Sequence, residues 1–90
     1  MMKILAVCGE GIGTSVLLKM NADRVLKRLG IEALVEATDI ETANATRDAQ
    51  IFLTTAGLED KLVAGPAEII AIEKVFDLEE LSEKLSNALL

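Results

Sequence analysis

The sequence predicts an α/β fold: a single three-layer αβα domain over residues 1–90, built on a four-stranded parallel sheet of order 2-1-3-4. Three observations lead there. Short β-suited apolar runs alternate with helical amphipathic ones, which demands βαβ units with right-handed crossovers. The first run, residues 3–7, is mostly apolar on both sides, as a central parallel strand requires. At 90 residues and 51% hydrophobic, the chain is long enough to bury one core and too short for two.

Residues 3–7 form the first strand, ended by a cluster of glycines. From Thr14 to Leu29 the period changes: Leu18, Ala22, Val25 and Leu29 recur at intervals of three or four, with Lys19, Asp23, Lys27 and Arg28 elsewhere. That is an amphipathic helix, started by a hydroxyl cap at Thr14 or Ser15 and stopped by Gly30 in a left-handed conformation. Residues 31–38 alternate loosely, as a second strand at the sheet edge would. Asp39 caps a short helix through about Arg47, and residues 50–54, centred on Ile51, Phe52 and Leu53, make the third strand. Residues 55–66 hold two glycines, a proline and the charges of Glu59, Asp60 and Lys61, a loop with one helical turn. A fourth strand covers residues 68–73. Asp77 then caps a last helix with Leu78, Leu81, Leu85 and Leu89 on one stripe.

In a sheet of this order the first crossover runs one way and the later ones the other. Ligands of such doubly wound, flavodoxin-like or P-loop-phosphatase-like domains bind beyond the carboxyl ends of the strands at the reversal. The stretch VCGEGIGTS leaves strand one there. It contains the only cysteine, Cys8, and three of the six glycines.

Glycines at 9, 11 and 13 allow positive φ values and let successive N–H groups face one point, a nest for an anion. The following helix adds unpaired N–H groups and the positive end of its dipole. A phosphate-sized site results without any positive side chain, and its field favours the thiolate of Cys8. Glu10 points outward, toward a partner. Thr54 and Thr55, at the end of the strand beside strand one, read as strand-end residues in preference to site residues, and Asp60 reads as a solvated loop carboxylate in preference to a general acid.

Composition removes several classes. The sequence contains no histidine, so it supplies no Ser-His-Asp triad, no Cys-His dyad, no His-ligated metal site and no phosphohistidine of its own. A formal charge of -6 and two aromatic residues, Phe52 and Phe76, disfavour nucleic acid as a partner. Apolar runs fall well short of the ~20 residues that span a bilayer. The first residues read as a core strand with no signal peptide, and a lone cysteine suits a reducing, cytosolic setting. The G-x-G-x-G spacing matches neither a Walker A loop nor a dinucleotide fingerprint. A low-molecular-weight tyrosine phosphatase would carry an arginine where Thr14 stands, and without that bidentate clamp a good hydrolase is not expected.

The stretch ILAVCGEGIGTSVLLKM resembles the start of the cytoplasmic enzyme IIB components of the bacterial sugar phosphotransferase system (PTS), in the branch of the ascorbate and galactitol types. The resemblance is sharpest over residues 3–20 and rests beyond them on length and strand order. It implies a phosphotransferase in which Cys8 takes a phosphoryl group from a phosphohistidine on enzyme IIA (EIIA). Cys8 then passes it to a sugar held by the membrane permease, enzyme IIC (EIIC). It further implies Gly9, Glu10, Gly11, Ile12, Gly13, Thr14 and Ser15 as the phosphate loop, no cofactor, no metal, and a cytoplasmic location peripheral to the inner membrane through EIIC. Ile12, Val16 and Leu17 are the apolar docking candidates beside the loop. The alternative is a phosphatase-like or arsenate-reductase-like cysteine enzyme.

Overall fold

A computed structural model describes residues 2–8, 12–63, 65 and 67–90, with the side chain of Ile12 left out. Along the chain the elements are β1 (Met2–Cys8), α1 (Ile12–Leu29), β2 (Ala33–Asp39), α2 (Ile40–Ala45), β3 (Ile51–Thr55), a 3-10 turn (Glu59–Lys61), β4 (Glu68–Ile72) and α3 (Leu78–Leu89). The sheet is four-stranded in the order β2-β1-β3-β4 with every pairing parallel, the order the sequence predicts.

Because β1 is central, its alternate residues serve two cores. Ile4 and Ala6 pack on one side with Leu18, Ala22, Val25 and Leu26 of α1 and Leu81 and Leu85 of α3. Leu5 and Val7 point the other way, to Phe52, Ala43 and Leu62. Full burial of each large apolar side chain here contributes roughly 1.5–3 kcal/mol. The edge strand β2 keeps the loose alternation of its sequence, with Val35 its one fully buried residue among those described.

Local chemistry sets the element ends. Gly30 takes φ 72°, and its N–H donates to Lys27 O at 3.2 Å while Ile31 N–H reaches back to Leu26 O at 3.0 Å, a Schellman stop. The Asp39 carboxylate accepts from Thr42 N–H at 2.7 Å and caps α2. Asp77 accepts from the N–H groups of Glu79 and Glu80 at 3.0 and 3.2 Å and caps α3.

The start of α1 departs from the sequence prediction. The helix begins at Ile12, so Thr14 and Ser15 lie inside its first turn and do not cap it. Gly13 is a helical residue, absent from the positive-φ glycines Gly30, Gly57 and Gly65, and a Cβ there would meet none of the described residues within 4 Å. Helical φ and ψ satisfy the N–H geometry of this turn as well as a left-handed bend would, and the capping position falls among residues outside the description. Gly9, Glu10 and Gly11 lie there too.

Candidate functional site

β1 delivers Cys8 to the carboxyl edge of the sheet, between Asp39 at the end of β2 and the end of β3, where Val7 pairs with Thr54. The chain crosses from β1 to one side and later returns to the other, so this is the reversal point at which doubly wound sheets bind ligands. Thr54 is fully buried and its hydroxyl donates to Val7 O at 2.9 Å, tying β3 to the peptide just before the cysteine. Cys8 itself is 8% exposed. Asp39 beside it is engaged in capping α2, and the hydrogen bonds from Thr42 hold its carboxyl below the ordinary carboxylate value.

Cys8 opens onto a cleft of about 460 Å³, lined also by Thr14, Thr55, Ala56, Gly57, Leu58 and Lys61. Two walls are therefore fixed by different elements. Thr14 comes from the first turn of α1, whose N–H groups have no partner within the helix. The opposite wall is the segment after β3. Ala56 N–H donates to Ile72 O at 2.9 Å, Gly57 turns the chain at φ 97°, and its N–H donates to Glu59 Oε1 at 3.0 Å. Asn44 of α2 then clamps the 3-10 turn, donating from Nδ2 to Lys61 O at 3.1 Å and accepting from Val63 N–H at Oδ1 at 2.8 Å.

Of the predicted site residues, Cys8 and Thr14 meet in this cleft, and Ser15 is buried beside them in the same helical turn. Gly9, Glu10, Gly11 and the Ile12 side chain lie outside the described residues. Two residues that the sequence reading kept out of the site belong to its wall: Thr55, read as a strand end, and Lys61, read as a loop charge. Lys61 brings a basic residue to the lining of a site expected to have no positive side chain. The signal that could find Thr55 was its place at the carboxyl end of the strand neighbouring β1. No comparable signal marks Lys61, which is 53 positions from Cys8 in sequence.

A second groove of about 620 Å³ shares Thr14 and Thr55 with the first and continues along Glu73, Lys74, Val75, Phe76 and Asp77. Phe76 is 78% exposed there. The segment is held from both sides: Asn21 of α1, 7% exposed, donates to Val75 O at 2.7 Å, and the Glu80 carboxylate accepts from Glu73 and Lys74 N–H at 2.8 and 2.9 Å. Those N–H groups, Glu73 first, together with Lys84, hold the Glu80 carboxyl down at about 2. Of the three docking candidates, Val16 is 38% exposed, while Leu17 is half-buried.

Among the described residues no group of His, Cys, Asp and Glu could hold a metal ion, and no helix is long and apolar enough to cross a membrane. The arrangement instead suits an anion: one sulfur nucleophile, a helix N-terminus, two threonines and one cation around an open cleft.

Comparison with known proteins agrees with that chemistry. Residues 3–87 match the family model of the lactose/cellobiose-specific IIB subunit of the PTS. The chain is 32% identical over 88 residues to an ascorbate-specific PTS EIIB component from Mycoplasma pneumoniae, covering 96% of this chain and 93% of that protein. In fold it is like the lactose-specific IIB component domain of the PTS from Streptococcus pneumoniae, with a TM-score of 0.65 at 14% identity, covering 98% of this chain and 90% of that one. These matches favour a phosphoryl carrier over a hydrolase or reductase. With a parallel sheet in the order 2-1-3-4, a cysteine at its reversal point and a family match over nearly the whole length, the chain belongs to the IIB components of the sugar phosphotransferase system and is a phosphotransferase.

Proposed function

We propose that Cys8 is the residue that carries the phosphoryl group. The N–P bond of a phosphohistidine on EIIA breaks as the Cys8 Sγ–P bond forms, and the imidazole departs. At the EIIC permease the S–P bond then breaks as phosphorus bonds to a sugar hydroxyl oxygen; the Cys8 sulfur departs with the bonding pair and the hydroxyl proton passes to water. The observation that carries this reading is the placement of Cys8 at the carboxyl end of β1, at the sheet's reversal point and on the same cleft as the first turn of α1. The absence of histidine supports it from another side, since the donor imidazole arrives on another protein.

Residues 9–15 form the phosphate loop, their N–H groups steadying the equatorial oxygens of the phosphoryl group in transfer. The chain works in the cytoplasm and reaches the membrane surface through EIIC. Its sugar is of the ascorbate type, after the relative that matches nearly end to end, although the family model's name refers to lactose and cellobiose.

Incubation with a phosphorylated cognate EIIA, followed by intact-mass measurement, is expected to show one added phosphate, released by iodine and missing in Cys8→Ser. No added mass with any cognate donor would overturn the proposal. Steady Cys8-dependent turnover of p-nitrophenyl phosphate would transfer the chain to the hydrolases.

A further inference from the structure

We propose that the Lys61 ammonium is a phosphoryl-binding group of this site, pairing with the non-bridging oxygens of phosphorylated Cys8. The inference rests on Cys8 being the carrier, and adds to it a residue that the family match and the sequence pattern leave unassigned.

Lys61 and Cys8 line one cleft, and the other described residues of its wall are neutral: Thr14, Thr55, Ala56, Gly57 and Leu58. Lys3, Lys19 and Lys84 are each taken up by a carboxylate, whereas Lys61 enters no ion pair among the described residues. Its backbone is fixed on both sides, the N–H donating to Leu58 O at 3.0 Å and the carbonyl accepting from Asn44 Nδ2 at 3.1 Å. The stem of the side chain therefore starts from a set position while its end stays adjustable.

Charge gives this cation a task. Phosphorylation puts on Cys8 a group approaching two negative charges, in a protein already at -6. Among the described residues, the other charged groups at this end of the sheet are Asp39 beside Cys8, Glu59 and Asp60 on the 3-10 turn, and Glu73, Lys74 and Asp77 on the neighbouring groove. Lys61 alone among them shares the cleft with the sulfur. A lysine is also the appropriate cation for a carrier. Its point charge lacks the bidentate fork of arginine, so it stabilises the phosphoryl group without clamping it against onward transfer. An ion pair this accessible to water changes an equilibrium by about 2- to 5-fold.

The test reads the second ionisation of the phosphoryl group by ³¹P NMR, on protein phosphorylated with a molar excess of phosphorylated EIIA and then separated from it. Lys61→Met is expected to raise that ionisation by roughly 0.3–0.7 of a pH unit, the counterpart of a 2- to 5-fold effect. Lys61→Arg restores it, Lys74→Met leaves it in place, and added salt narrows the difference. A Lys61→Met phosphoprotein that titrates like the wild type overturns the assignment, even if its phosphorylation is slower, because Lys61 would then serve docking. So does an equal displacement by Lys74→Met, which would show a diffuse field. Failure of the wild-type chain to take any phosphate overturns the Cys8 reading and this one together, and is told apart by that missing signal.

Discussion

The two faces of the sheet are built on different scales. On one, the long helices α1 and α3 cover Ile4, Ala6, Val35, Ile51, Leu53, Ile70 and Ile72, and the two helices contribute six more buried side chains of their own. On the other, the six-residue α2 and a 3-10 turn cover Leu5, Val7 and Phe52, with Ala43, Ala49 and Leu62 completing the cluster. The thick face consists of interlocking aliphatic side chains, each with many neighbours. The thin face depends on one ring. The candidate site lies where the two covers meet: Thr14 hangs from the thick layer and Lys61 from the thin one, with Cys8 between them. Buried aliphatic packing thus concentrates on one side of the cleft.

The largest effect is expected from breaking the thin face. Phe52 is fully buried, and Phe52→Ala should cost about 3–5 kcal/mol by denaturant unfolding. Leu81→Ala, on the thick face and equally buried, should cost about 2–4 kcal/mol. A larger loss for Leu81 would reverse the comparison.

Acid sharpens the contrast more gently. Glu80 ties α3 of the thick cover to the segment that borders the cleft, and its carboxyl lies at about 2 against an ordinary 4.5. A carboxyl depressed on folding contributes stability that is fully present above the ordinary value and drains away as pH falls toward the folded one. Wild type and Glu80→Gln should therefore differ at neutral pH and converge between about pH 5 and pH 2 in chemical unfolding curves. With the side chain 17% exposed and partly screened, the neutral-pH difference should be on the order of 1–2 kcal/mol.

The smallest effect runs the other way. Gly13 is helical and a Cβ there would meet none of the described residues, so Gly13→Ala should raise the midpoint of thermal unfolding, stabilising the α1 end of the thick layer by about 0.5–1 kcal/mol.

Legibility in the sequence followed the range of the interaction. The α1 stripe, the Gly30 stop and the Asp39 and Asp77 caps depend on neighbours within about five residues, and each stands where its local pattern puts it. Element ends moved by one or two positions for want of tertiary detail: β2 runs from Ala33 to Asp39, two residues later at its start than its alternation implies, and α2 stops at Ala45. The first turn of α1 went astray because a cluster of glycines permits a bend and a helical start equally well. Phe76 carries no exposure signal in the sequence: an aromatic residue typical of cores, it is 78% exposed.

By itself, then, the sequence determined the alternation of strands and helices, the strand order, and a lone cysteine and glycines at the carboxyl end of the central strand. Hydrophobic period, caps and crossover handedness suffice for those. Only the tertiary structure decided that Thr55 and Lys61 line one cleft with that cysteine and that Thr54 braces the strand beneath it. The reason is physical: these residues come from segments about fifty positions away, joined to Cys8 by strand register and by the Asn44 clamp on a short turn. Neither leaves a periodic trace in the chain.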